Sequence, residues 1–479
     1  MEKDDIIMII RDKAKRERVL FSSYIFIFAF LPFTFFVYFA LNHKQKIHAA
    51  KVFLVFSSLF FYAWWNFLYL PLIIASMFFN YSIGSTFDKG TFLSKKARLT
   101  LGIIANLSLL GYFKYSDFLI ENFNLLTSSQ LGLLHLALPL AISFFTFQQI
   151  AYLVDSYRGE TGEYDFLNYA IFVTFFPQLI AGPIVHHKEM MPQFADKSTQ
   201  KMHYPNIALG LFIFAIGLFK KIVIADTFAI WATQGFDHTE SLHFFEAWAT
   251  SLSYTFQLYF DFSGYSDMAI GAALLFNITL PLNFNSPYKA DSIQDFWRRW
   301  HMTLSRFLRD YIYIPLGGNR KGELRTYTNL FGTFLLGGIW HGAGWTFIFW
   351  GFLHGMALVI HRAWKSLGFS MPRWLGWFLT FHFINISWVF FRAKSWEDAL
   401  KVLKGMFDFS HMGFHLNSLE ALIILMGFLL VLGFKNSMYY MQEKFYFTPR
   451  QMLFFVSIMI LSIAAIRLRN SSEFLYFNF

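Results

Sequence analysis

Of the 479 residues, 56% are hydrophobic, 21% are aromatic and 15% are charged. A soluble domain carries about 25% charge, so this chain lacks the polar surface of a water-facing exterior and is expected to be a polytopic membrane protein. The net charge of +10 does not point to nucleic acid, because Lys and Arg sit in short runs between apolar stretches, as in positive-inside loops. The absence of Cys removes disulfides, zinc ribbons, Fe–S clusters and thiol nucleophiles.

Residues 1–19 are charged, with Ile6, Ile7, Ile9 and Ile10 on a polar stretch. They are expected to form a short interfacial helix, followed by one integral-membrane domain over 20–479. The first apolar run is too long for the core of a signal peptide. Apolar runs of about 20 residues, the length of a spanning helix, fall near 20–41, 51–84 (two, broken around Asn66 to Pro71), 99–121, 131–154, 166–185 and 206–231. Further runs lie near 244–280 (two), 327–360 (two, broken at the glycines), 374–392, 419–434 and 451–466. The fold class is therefore all-α, with about eleven to thirteen spans. No fixed repeat is visible.

The longest polar loop, 285–325, carries Lys and Arg over Asp and Glu by about two to one and is expected to be cytoplasmic. It contains Asp295 to Tyr313, which alternates Arg298, Arg299, Arg306 and Arg309 with Phe296, Trp297, Trp300, Phe307 and Leu308. On a helix this pattern suits the bilayer surface, with arginines at lipid headgroups. The same arginines suit a phosphate-bearing cosubstrate, since guanidinium forks bind phosphate bidentately. The two readings are compatible.

No Asp, Glu, Lys or Arg occurs from Thr326 to Ile360, yet Gly337, Gly338, Gly342 and Gly344 bracket Trp340 and His341. Broken backbone at membrane depth belongs inside protein or beside a cavity, and an intramembrane ionisable group marks function. His341 is the candidate base, because an imidazole titrating near neutrality can take a proton from an incoming hydroxyl. His354, in a similar setting, is expected to hydrogen-bond between helices. Asp261 and Asp267 fall in an apolar stretch, where they must be paired or face water; pairing with arginines of the basic loop or orientation of a catalytic group are the options. His411 and His415 have metal-like spacing, but no third ligand is evident, and no metal is expected.

Several segments then carry a resemblance: Phe61 to Trp65 (FYAWW), Gly111 to Tyr115 (GYFKY), Leu179 to Pro183 (LIAGP) and Lys220 to Asp226 (KKIVIAD). The most specific are Gln257 to Gly271, Phe296 to Gly322 and Leu336 to Gly355, with DFSGYSD, FWRRWH and GGIWHG. From about Phe21 to Phe479 the chain resembles a membrane-bound O-acyltransferase of the bacterial alginate and peptidoglycan O-acetyltransferase branch. The charged extension before Leu20 departs from the alginate-type pattern.

The resemblance implies a ring of transmembrane helices around a thin centre, with a cytoplasmic funnel leading to a catalytic His at position 341. It implies acetyl transfer from a cytoplasmic donor, acetyl-CoA, toward an exported cell-envelope polysaccharide such as peptidoglycan or alginate, completed by a separate periplasmic transferase. The location implied is the bacterial inner membrane, among lipids. Trp297, Arg298, Arg299 and His301 are the expected donor contacts, with Asp261, Asp267 and His354 in supporting roles. The competing class is a transporter with an Asp261, Asp267, His341 and His354 path. Such proteins show paired discontinuous helices in both halves, whereas one broken segment is visible here.

The chain ends on Phe474-Leu-Tyr-Phe-Asn-Phe479. One reading is an aromatic anchor at the interface. The other follows from resemblance: F-x-Y-x-x-F is similar to the C-terminal motif of the small partner in teichoic acid D-alanylation. That resemblance implies that Tyr476 carries the acyl group, which needs the tail to fold back into the membrane.

Overall fold

The computed structural model describes residues 20–90, 92–161, 165–180, 182–410, 417–442, 445–468 and 474–475, and every regular element among them is helical. The expected interfacial helix over 1–19, His411, His415 and Tyr476 lie outside the described residues.

In chain order the main helices are α1 (Leu31–His43), α2 (Ile47–Trp65), α3 (Leu70–Gly84), α4 (Lys95–Thr127), α5 (Ile142–Arg158) and α6 (Phe166–Thr174). Then come α7 (Tyr204–Phe219), α8 (Asp226–Thr233), α9 (Phe244–Leu275), α10 (Ile293–Trp297), α11 (Met302–Leu308), α12 (Glu323–His341) and α13 (Trp345–Ser366). The last are α14 (Arg373–Arg392), α15 (Trp396–Met406), α16 (Ser418–Gly433) and α17 (Pro449–Leu468). Among the described residues, seven helical stretches are long and apolar enough to cross a membrane by length and composition. The sequence count is higher because α4, α9, α12 and α13 are long but carry polar residues, while α5, with 17 residues, is short of a full span.

Helix α9 is the hub. It packs against α7, α8, α14, α15 and α16 and is buried almost continuously from Ala247 to Leu275. The expected pair of spans over 244–280 is thus one helix. Gly264 and Gly271 are points of contact with α7. A Cβ on Gly217 of α7 would stand 2.5 Å from the Gly264 carbonyl oxygen, so the two backbones meet directly.

Three further differences from the sequence reading have local causes. Residues 131–141 are not helical: Asp117 of α4 accepts the Leu134 and His135 N–H groups at 2.7 and 3.0 Å, and Pro139 precedes the start of α5. The run 166–185 ends as a helix at Thr174, and a short turn Phe176–Leu179 with Pro177 at its start follows. The 295–313 segment is not one surface helix. It breaks between α10 and α11 at His301, whose φ is +43°, because Asn283 takes over the local bonding. Its carbonyl accepts the Met302 N–H at 3.0 Å and its Oδ1 accepts the Thr303 N–H at 3.2 Å. Phe296, Trp297, Trp300 and Phe307 are consequently buried in the core rather than laid in lipid.

Candidate active site

The glycine-framed segment forms the expected hairpin. α12 ends at His341, Gly342 and Gly344 are extended, and α13 starts at Trp345. The two helices touch through glycine: a Cβ on Gly338 would lie 2.5 Å from the Phe347 carbonyl oxygen, and one on Gly351 would lie 2.7 Å from that of Phe334. His341 is buried at the tip. Its ring stands edge-on to Trp350 and Phe391, both at 5.1 Å between centroids, and next to Trp340 at 4.8 Å. This apolar cage excludes water around the imidazole and fixes its plane.

The hairpin tip is held from outside. Lys114 of α4 donates to the carbonyls of Trp340 at 2.5 Å and His341 at 3.1 Å, and reaches Ser143 Oγ at 3.4 Å. The Tyr115 hydroxyl donates to the Ile339 carbonyl at 2.6 Å. A lysine in the 99–121 apolar run was the available signal for this, since a charged group in a spanning stretch marks a specific partner.

His301, expected among the donor contacts, is not among the residues lining the basic cavity described below. It is buried and edge-on to Phe262 at 4.7 Å. Asn283 Oδ1 accepts from the Thr303 backbone N–H, an obligate donor, so the His301 Nδ1 at 3.2 Å must also donate to it. That leaves Nε2 as the lone-pair nitrogen of His301. His354 is placed by a chain of bonds. The Trp297 indole N–H donates to its Nδ1 at 3.1 Å, its Nε2 faces Ser387 Oγ at 3.1 Å, and that hydroxyl donates to the Ile384 carbonyl at 2.8 Å. His354 thus serves to fix Trp297.

Asp261 and Asp267 are paired, but with lysines rather than the loop arginines. Lys220 meets Asp267 at 2.7 Å, and Lys221 meets Asp261 at 2.7 Å and Asp226 at 2.9 Å. The lysines reach α9 because the chain between α7 and α8 widens into a π turn, Lys220–Ala225. Ser437 adds a bond to Asp267 at 2.7 Å. Asp261 Oδ2 also accepts the Leu475 N–H at 3.0 Å, while Phe474, 1% exposed, stacks on Tyr265 at 4.3 Å. Phe474 and Leu475 therefore lie in the core beside Phe262, the residue that packs on His301. With the aspartates neutralised by lysines and His354 engaged by Trp297, the four residues of the transporter path do not join into one route.

A cavity of about 570 Å³ lies at the open end of the hairpin, lined by the first half of α12 and the last turns of α13. Trp297 and Phe334 line it together with Arg298, Arg309, Arg362, Lys365 and Glu323. Arg309 is paired with Asp310 at 2.7 Å and Arg362 with Glu323 at 2.9 Å, which leaves Arg298 and Lys365 as the cations without a carboxylate among the lining contacts. Arg298 is exposed there. Arg299 is not among the lining residues; it binds Asp295 at 2.9 Å and the Asn285 carbonyl at 3.3 Å. Arg306 is held bidentately by Glu189 at 2.5 and 2.9 Å. Spacing along the chain also hides a cluster of His186, Asp155 and Tyr311, in which the Tyr311 hydroxyl donates to Asp155 at 2.7 Å and His186 lies 3.5 Å from the same carboxylate.

The chain is similar in sequence to known proteins. The chain is 58% identical to a peptidoglycan O-acetyltransferase of Helicobacter pylori over 419 residues, covering 81% of this chain and 80% of the relative. It is 42% identical to a probable alginate O-acetylase of Pseudomonas aeruginosa, over 82% of this chain and 75% of that protein. A teichoic acid D-alanyltransferase of Bacillus subtilis is 28% identical over 53% of this chain and 69% of its own length. The family model for membrane-bound O-acyltransferases covers residues 99–395, which include His301, His341, His354 and the basic cavity. The chain belongs to the membrane-bound O-acyltransferase family and is a multi-pass membrane acyltransferase.

Proposed function

We propose that this protein is an O-acetyltransferase of the bacterial inner membrane that moves acetyl groups from cytoplasmic acetyl-CoA toward an exported cell-envelope polysaccharide. The observation that carries the reading is the hairpin: a caged, buried His341 at its tip and a cavity with basic residues in its lining at its open end. The cavity suits a coenzyme A donor, because its basic residues match phosphates and its aromatic residues match an apolar thioester arm. The higher identity to the peptidoglycan enzyme favours peptidoglycan over alginate as the final acceptor. A separate periplasmic transferase completes delivery.

Tyr476 is the acyl carrier in this scheme. His341 removes the phenol proton as the phenolate oxygen attacks the thioester carbonyl. The carbon–sulfur bond breaks, coenzyme A leaves as its thiol with the proton returned from His341, and an aryl acetate remains. An outer hydroxyl then attacks that ester, takes the acetyl group and regenerates the phenol. The relay divides one transfer across the membrane into two easier steps. Its support is the burial of Phe474 and the seating of the Leu475 N–H on Asp261, near the midpoint of α9. Arg467, in the last turn of α17, is compatible with a cytoplasmic helix end, and Phe474 and Leu475 lie in the core.

The test is glycan O-acetylation, read by mass spectrometry in cells carrying variants. His341→Ala is expected to abolish it while the protein still inserts, and full activity would overturn the base. Tyr476→Phe keeps the ring and removes the hydroxyl. Loss of acetylation supports the carrier, and wild-type acetylation leaves the tail as an anchor only.

A further inference from the structure

We infer that Lys114 is a positioning residue for His341, acting through the backbone of the hairpin tip rather than on the reacting atoms. The inference rests on the reading of His341 as the base. The last carbonyls of a helix have no intrahelical donors, and α12 ends where its own sequence can supply none. No charged residue occurs from Thr326 to Ile360, and Gly342 and Gly344 run extended, with φ of −159° and −171°. A turn that folds back to cap the helix is therefore absent from the tip.

Two adjacent residues of a different helix fill the vacancy. Tyr115 takes the Ile339 carbonyl, and Lys114 takes those of Trp340 and His341. Ser143 Oγ, 3.4 Å away, is the third polar group around the Lys114 nitrogen. Otherwise α4 and α12 share little backbone contact, so these bonds are the main register between them.

The consequence is specific to the imidazole. His341 is the final residue of α12, and its own carbonyl is one of those held. Freeing that carbonyl lets the last turn fray, and the ring loses its fixed approach to the acyl group. Lys114 also lines a cleft of about 280 Å³ with Ser116, Asp117, Gly342 and Ala343, so a frayed tip has room to move into. A purely structural lysine would lower stability and donor binding along with rate. A positioning lysine lowers rate alone.

The experiment uses the full chain in inverted membrane vesicles supplied with radiolabelled acetyl-CoA, with rates normalised to inserted protein. Lys114→Met is expected to lower kcat by about a hundredfold, the cost of roughly 1 Å of misplacement, with donor KM and thermal midpoint unchanged. Lys114→Arg, which keeps the donors, is expected to recover most of that loss. Wild-type kcat in Lys114→Met overturns the inference. So does a loss that tracks the thermal midpoint and is not rescued by Arg. If Lys114→Met does not insert, Tyr115→Phe decides: reduced kcat at unchanged KM supports the clamp, and wild-type kcat overturns it. His341→Ala is measured in parallel. Activity in that variant sinks the base assignment by itself, whereas its inactivity beside an unaffected Lys114→Met sinks the clamp alone.

Discussion

Two glycine-to-alanine substitutions on the same hairpin should have opposite signs. At Gly351 a Cβ would stand 2.7 Å from the Phe334 oxygen and 2.9 Å from the Gly338 Cα. Ordinary carbon contacts lie at about 3.5–4.0 Å, so α12 and α13 must part by roughly 0.8 Å. Overpacking of this kind costs about 1–3 kcal/mol, and the helix propensity of alanine returns about 1 kcal/mol. Gly351→Ala is therefore expected to destabilise by up to about 2 kcal/mol. Activity should suffer more, since His341 lies at the end of the displaced helix and a shift near 1 Å costs about a hundredfold in rate. Gly332 is the control. It lies on α12, and a Cβ there would meet nothing within 4 Å, so Gly332→Ala should be neutral or stabilising by up to about 1 kcal/mol. Both are read by thermal unfolding in detergent and by acetyl transfer in vesicles. Wild-type rate and midpoint in Gly351→Ala, or equal damage from Gly332→Ala, would refute the argument that close glycine contact positions the base.

Arg298→Ala is expected to raise the KM for acetyl-CoA about tenfold, the scale of one charge-assisted contact, with a smaller effect on kcat. Arg299→Ala, whose guanidinium is committed to Asp295, should change KM less; equal shifts in the two variants would remove the basic cavity as the donor site. Asp267→Ala strands the buried Lys220 ammonium and should cost about 3–5 kcal/mol, seen as a lower unfolding midpoint. Adding Lys220→Met to that variant should restore much of the loss, and a single variant as stable as the parent would show that the pair contributes nothing.

Composition and local pattern settled much of this protein. A charge content too low for a soluble surface dictated membrane helices. The glycines around Trp340 and His341 dictated a broken hairpin, and an isolated imidazole within it marked the candidate base. Those inferences rest on what each segment must do with its own apolar surface and backbone, which is a local question. Partner choice is not local. Nothing along the chain says that Lys220 and Lys221 answer Asp267 and Asp261, because that depends on a π turn and on glycine contacts that bring α7 against α9. The amphipathic reading of 295–313 was reasonable for an isolated helix, but Asn283 competes for its backbone and draws the tryptophans inward. The same competition buries His301 against Phe262, and leaves Arg298 at the cavity while Arg299 turns to Asp295. Lys114 was visible as a charge in an apolar run, yet its role depends on the end of α12, more than 200 residues away in sequence. Sequence fixes which groups cannot remain unsatisfied in a membrane; tertiary packing decides which distant group satisfies them.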